Sequence, residues 1–294
     1  MEQATTTPGP PPQAEEPVAA RAETVRLEAT RGFSRVLSPR ELWRYRDLAF
    51  QIAARDVTVR YRQTALGAAW AILQPLGFMV VFTLFFGNLA GVSSDGLPYA
   101  LFSLSALVPW TFFANSLLLS SESLVANSAL VSKIYFPRIF MPAGAMAASF
   151  IDLGISLLIL IVIVLAWGFA PSAAILMLPV LIVIMVAALL GVSAALSAVN
   201  VRYRDVRYVI PFAIQMWLFA TPIAYPASLV DEPLRTLWAA NPMVGVVEGF
   251  RWAVLGNGDA PLALIGVSAV SAAALLLAGL AYFDRVERSF ADFI

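Results

Sequence analysis

Five stretches of this chain carry no charged side chain: Gln63 to Ser94, Gly96 to Ser121, Leu153 to Val201, Tyr208 to Val230 and Ala260 to Phe283. A helix needs about 20 apolar residues to cross a hydrocarbon core of roughly 30 Å. Runs this long and this many exceed what the core of a soluble domain supplies. The chain is therefore expected to be an all-α polytopic membrane protein whose function concerns something crossing or sitting in a bilayer. Splitting the runs at turn signals predicts six spans: Leu66 to Leu89, Leu97 to Leu119, one within Phe140 to Trp167, Ala173 to Val199, Tyr208 to Tyr225 and Leu262 to Phe283. Ser93-Ser94-Asp95-Gly96 divides the first two, and Gly168-Phe169-Ala170-Pro171-Ser172 divides the third from the fourth.

Basic residues orient these spans. With the N-terminus inside, all but two of the 19 basic residues fall on the inner side, the exceptions being Arg235 and Arg251. The opposite topology would invert the positive-inside rule, so both termini are expected in the cytoplasm. Net charge is zero, which gives no reason to expect a nucleic-acid partner. The absence of cysteine and histidine removes disulfides, thiolate chemistry and the commonest metal ligands. No catalytic residue and no metal site are expected. Residues 1–37, rich in Pro, Thr, Ala and Glu without an apolar h-region, read as a disordered cytoplasmic tail and not a signal peptide. Residues 284–294 read as a cytoplasmic C-terminal tail, with the transmembrane domain spanning 63–283.

Segment 38–62 reads as an amphipathic interfacial helix leading into a gate. Ser38 can cap, Pro39 suits the first helical position and Glu41 completes a capping box. At 100° per residue Leu42, Tyr45, Leu48, Ala49, Ile52 and Ala53 form an apolar arc, opposed by Arg40, Arg44, Asp47, Gln51 and Arg55. Such a helix lies in the headgroup layer, its basic face toward anionic lipid. A plain juxtamembrane anchor is the alternative.

An energy source is missing from the chain. No Gly-x-x-x-x-Gly-Lys-Ser/Thr phosphate loop is present, and Lys133 is the sole lysine. Asp152 is the charged residue within the third span. It could serve ion coupling, or face the bundle interior and bond a neighbouring hydroxyl or amide. One acid without an obvious intramembrane partner argues for energy supplied by another chain. The cytoplasmic loop 121–138 holds Leu130, Ile134, Tyr135 and Phe136, expected to be exposed and therefore to bury against a partner; a helix returning along the membrane surface is the alternative. Outside, segment 231–259 reads as two short amphipathic helices separated by Asn241-Pro242, with Asn241 capping the second. Aromatics are dense in spans one, two and five. Interfacial or packing roles are the commonest for such residues, but their faces also stack on sugar rings.

The segment Arg55-Asp56-Val57-Thr58-Val59-Arg60-Tyr61-Arg62-Gln63-Thr64-Ala65-Leu66-Gly67, followed by Trp70 and Leu73-Gln74-Pro75, resembles the approach to the first span in membrane subunits of ABC exporters of cell-surface polysaccharides, the O-antigen and teichoic-acid group. The resemblance continues at Asn127 through Arg138, Tyr203-Arg204-Asp205-Val206, Thr221 through Pro226, and Asn241-Pro242 through Gly249-Phe250-Arg251. It implies a permease subunit of the bacterial cytoplasmic (inner) membrane. Two copies would assemble with two copies of a cognate ATPase that binds Mg-ATP, leaving no cofactor on this chain. The cargo would be a polysaccharide joined to polyprenyl pyrophosphate. A coupling helix at Ser128, Leu130, Lys133, Ile134 and Tyr135 would dock on the ATPase. Arg55, Arg60 and Arg62, then Arg202 and Arg204, would meet the pyrophosphate at the gate. Trp70, Phe78, Phe82, Phe85, Phe86, Trp217, Phe219 and Tyr225 would line the glycan path, and the outer helix pair would be re-entrant. An exporter of a drug or small lipid is the rival on the same scaffold. A polyprenyl-linked sugar transferase would want clustered carboxylates, whereas Asp205 and Glu122 stand alone.

Overall fold

The structure is a computed structural model that describes residues 43–62, 67–133, 136–170, 173–203, 205–287 and 290. The expected N-terminal tail, the cap at Ser38, and Ile134, Tyr135 and Arg204 lie outside the described residues. All regular structure among the described residues is helical. In chain order the helices are α1 Arg46–Arg62, α2 Gly67–Phe82 with a π-helical extension Thr83–Leu89, α3 Tyr99–Ala126, α4 Ser128–Lys133, α5 Phe140–Ala145 and α6 Ala147–Ala166. They continue as α7 Leu178–Arg202, α8 Val206–Phe219, α9 Leu234–Trp238, α10 Pro242–Leu255 and α11 Leu262–Glu287.

Among the described residues five helical segments are long and apolar enough to cross a membrane: Ala69–Leu89, Tyr99–Ala126, Phe140–Ala166, Ala173–Arg202 and Leu262–Glu287. The expected fifth span differs. Its helix, α8, has 14 residues, about 21 Å of rise and short of a hydrocarbon core. Pro222 offers no backbone N–H to continue it, and the chain goes on as a buried non-helical stretch through Thr221, Pro222, Ile223 and Ala224. Other bounds shift too. α3 runs on to Ala126, so among the described residues only α4 remains as a separate helix in the loop 121–138, and α11 runs past Phe283 to Glu287.

α3 forms the centre, buried along most of its length against α2, α6, α7, α8 and α10. It can be both central and rich in hydroxyls because Ser103, Ser105, Thr111, Ser121 and Ser123 each donate to a carbonyl three residues back in the same helix. The closest helix pair is α7 with α11. A Cβ on Gly279 would stand 1.9 Å from the Gly191 carbonyl oxygen, so the two backbones touch where no larger residue fits.

Two ends of the bundle are defined by bonds between distant segments. At one, Asn200 donates to the Ser121 carbonyl at 3.1 Å and Arg138 to the Glu287 carbonyl at 2.9 Å. A single apolar cluster there joins Ile52, Leu124, Val131, Phe136, Val201 and Phe283. At the other, Ser228 donates to the Asp95 carboxylate at 2.9 Å and Asn257 to the Asp95 carbonyl at 3.1 Å. The chain thus passes from the first end to the second between Arg202 and Ser228.

The outer segment is less amphipathic than expected. Asn241 caps α10 by accepting from the Met243 N–H at 3.1 Å, with Pro242 following, as the sequence predicts. Yet α10 is buried on nearly every side, packed on α3, α7 and α11, because it forms the core of this half of the bundle. Gly245 and Gly249 permit that approach, lying against the Leu264 carbonyl and the Leu181 side chain. Arg251, though charged, is buried: it donates to Glu248 at 2.8 Å and to the Pro222 carbonyl at 2.9 Å, and its guanidinium lies 3.6 Å from the Phe102 ring centre. Glu248 in turn accepts from the Ala227 N–H at 3.0 Å. This pair staples the stretch after α8 onto α10 and α3.

Candidate functional site

α1 delivers Arg60 and Tyr61 to the side of α6. The helix seats itself through the predicted apolar arc, with Ile52 buried against α5, where Gly144 leaves it room; Tyr45, Leu48 and Ala49 pack alongside. Arg44, Asp47, Gln51 and Arg55 are exposed, as are Trp43 and Phe50. The described part of the arc therefore faces protein.

Arg60 Nη2 stands 2.6 Å from Asp152 Oδ2, and Tyr61 donates its hydroxyl to Asp152 Oδ1 at 2.5 Å. Arg60 Nη1 also donates to Ser149 Oγ at 3.4 Å. Asp152 thus has partners at membrane depth, which the sequence alone did not reveal. Burial, and then the bond to Asp152, push the Tyr61 phenol from its ordinary 10.0 up to about 12. Tyr61 therefore remains a donor, and Asp152 receives one ionic and one neutral bond.

This cluster forms one wall of a half-open cavity of about 260 Å³ between α2, α3 and α6. Trp70 and Gln74 enter from α2, Thr111 and Asn115 from α3, and Ser156 from α6. Asn115 Nδ2 donates to Gln74 Oε1 at 3.1 Å, while Ser156 donates to the Ala71 carbonyl at 2.8 Å and fastens α6 to α2. The cavity thus joins a cation, a carboxylate, two amides and an indole in otherwise apolar helices. Such a site can hold a polar group that also bears negative charge.

The other expected arginines go elsewhere. The Arg55 guanidinium bonds Asp56 at 2.8 Å and Asn127 Oδ1 at 2.7 Å, tying α1 to the junction between α3 and α4. Arg62 ends α1, and Arg202 ends α7 with its guanidinium 5.4 Å from the Tyr203 ring centre. Of the coupling residues, Lys133 is exposed and Ser128 and Leu130 are half-buried. Phe136, expected at the surface, is buried, because it and Val131 seat the loop on the cluster at this end. Of the aromatics, Phe82 is buried in the core, edge-on to Phe86. Trp217 packs on Phe113 and donates to Asn241 at 2.8 Å, and Tyr225 stacks on Trp238. Trp70, Phe78, Phe85 and Phe219 remain exposed, on α2 with its extension and on α8. Sequence reasoning missed Tyr61, Ser149, Gln74 and Asn115; the two amides were visible as polar residues inside apolar runs.

The five long apolar helices are of the length and composition that cross a membrane, and the comparisons give the family. Residues 48–255 match the ABC-2 type transporter family, and the chain belongs to it. It is similar to the O-antigen export system permease protein RfbA of Myxococcus xanthus, 30% identical over 261 residues that cover 87% of this chain and 98% of that protein. RfbA of Klebsiella pneumoniae is 26% identical, covering 84% and 95% of the two chains. The polysialic acid transport protein KpsM of Escherichia coli is 22% identical, covering 68% and 78%.

Proposed function

We propose that this chain is the membrane-spanning subunit of an ATP-driven exporter that moves a polyprenyl-pyrophosphate-linked polysaccharide outward across the bacterial inner membrane. The observation that carries this reading is Arg60, held by Asp152 and Ser149 on the wall of a polar cavity between α2, α3 and α6. A guanidinium there offers a planar fork to a pyrophosphate, and Asp152 and Ser149 hold it in place until an anion competes. The named exporters of O-antigen and polysialic acid among its relatives support a glycan cargo.

Two copies of the chain, with two copies of a separate ATPase, form the working unit in this reading. The exposed side of α4, with Ser132 and Lys133, is the ATPase-docking surface; Ile134 and Tyr135, which follow in the sequence, are outside the described residues. α8 and the buried stretch after it act together as a sixth crossing, so that both termini lie on one side, the cytoplasmic side by the positive-inside rule. The bond geometry at the two bundle ends supports this. α9 and α10 form the outer re-entrant pair, satisfied by protein and not by lipid.

The test is surface glycan in a deletion strain complemented with Arg60→Lys or Arg60→Ala, with membrane insertion checked in each. Lysine keeps the charge and loses the fork, so partial export is expected; alanine should reduce export by about tenfold or more, the scale of one lost charge-assisted bond. Normal export by the alanine variant would refute pyrophosphate capture at Arg60.

A further inference from the structure

We infer that the cavity between α2, α3 and α6 is a binding pocket for the first sugar of the cargo, the one attached to the pyrophosphate; the inference rests on the reading of Arg60 given above. The volume is the first observation. A half-open space of about 260 Å³ is large enough for a ring-sized group. The chemistry of the walls is the second. Gln74 and Asn115 bond each other through one atom apiece, at 3.1 Å, which leaves the Gln74 Nε2 donor and the Asn115 Oδ1 acceptor unengaged by the described protein groups. Both residues line the cavity. A donor and an acceptor side by side, held by their own mutual bond, suit the hydroxyls of a sugar, each of which can both give and accept.

Trp70 is the third observation. Its ring is exposed at the cavity, where an indole face can cover the C–H side of a pyranose. The fourth is adjacency. Arg60 and Asp152 belong to the same wall, so a phosphate held at Arg60 places its attached sugar within the amide and indole groups. The pocket then distinguishes a loaded lipid carrier from an empty one. An exporter needs that distinction, because the carrier without glycan has the same pyrophosphate and the same tail.

The experiment compares two ligands on the full-length chain with its ATPase in lipid nanodiscs: polyprenyl pyrophosphate bearing one hexose, and polyprenyl pyrophosphate alone. The sugar-bearing compound should bind about tenfold tighter, as one or two net hydrogen bonds would give. Gln74→Met, which keeps the shape and removes the donor, should bring the ratio toward one while the bare compound binds as before. Trp70→Leu should do the same, and because that ring is exposed it tests the pocket even if Gln74→Met fails to insert. Equal binding of the two compounds by the unaltered protein, or a ratio unmoved by Trp70→Leu, overturns the sugar pocket and leaves the pyrophosphate reading standing. Failure of both compounds to bind overturns the pyrophosphate reading and this inference with it.

Discussion

Asp152 illustrates how one residue's meaning depends on its partners. Alone in an apolar helix, a carboxylate is costly and suggests proton or ion coupling. Paired with Arg60 and capped by the Tyr61 hydroxyl, it is a fixed charge that positions a cation. The pairing was not legible in the sequence, because Tyr61 and Asp152 are 91 positions apart and only the docking of α1 on α6 brings them together. The arrangement has a pH consequence. In the unfolded chain the Tyr61 phenol ionises near its ordinary 10.0, whereas in the folded protein it holds its proton to about 12. Between those values the folded state binds the extra proton, so Tyr61's contribution to stability is complete below pH 10 and is lost as pH rises toward 12. Thermal unfolding of the detergent-solubilised protein should therefore show a decline over that window that is smaller in Tyr61→Phe. Identical profiles for the two proteins across pH 9 to 12 would mean that the phenol is not held by the carboxylate.

The elements were legible to different degrees, and the differences have physical causes. The long apolar helices could be read directly, since twenty apolar residues in a row leave few alternatives. The arc of α1 and the cap at Asn241 were also legible, because both depend on local spacing. The length of α8 was not: Tyr208 to Tyr225 is uncharged throughout, and only the buried turn at Thr221-Pro222, tied down by Arg251, shows where the helix stops. Nor could the burial of α10 be read, since its polar residues find protein partners. Helix contacts set by absent side chains are likewise invisible to hydropathy. On α11, a Cβ at Gly279 would overlap the Gly191 carbonyl, while one at Gly266 meets nothing within 4 Å. Gly279→Ala should force α7 and α11 apart and destabilise the protein by about 1–3 kcal/mol, seen as lower thermal stability and a loss of monodisperse material. Gly266→Ala should be close to neutral. Equal behaviour of the two variants would show that the α7–α11 contact is looser than this packing implies.

At the scale of the whole molecule the question is how many times the chain crosses the membrane, because parity decides which side the outer cluster faces. Five long helices alone would leave segment 227–259 on the same side as Arg202 and Arg207. The contacts argue otherwise: Asn200 meets the carbonyl of Ser121 at one end, while Ser228 and Asn257 meet Asp95 at the other. A 14-residue helix can still complete the passage, because the stretch after it is enclosed by α3 and α10, and backbone enclosed by protein does not need a helix to satisfy its polar groups. The chain has no cysteine, so single replacements report position without background. Glu232→Cys, at an exposed position, should react in intact cells with a maleimide that cannot cross the membrane, and Ser132→Cys, also exposed, should react only after the cells are opened. Charge supports the same orientation, since Arg202 and Arg207 would lie on the cytoplasmic side and the buried Arg251 is already neutralised by Glu248. If the two cysteines behaved alike in intact cells, both labelled or both protected, α8 would not complete a crossing, and the gate, the docking helix and the outer pair would all have to be reassigned.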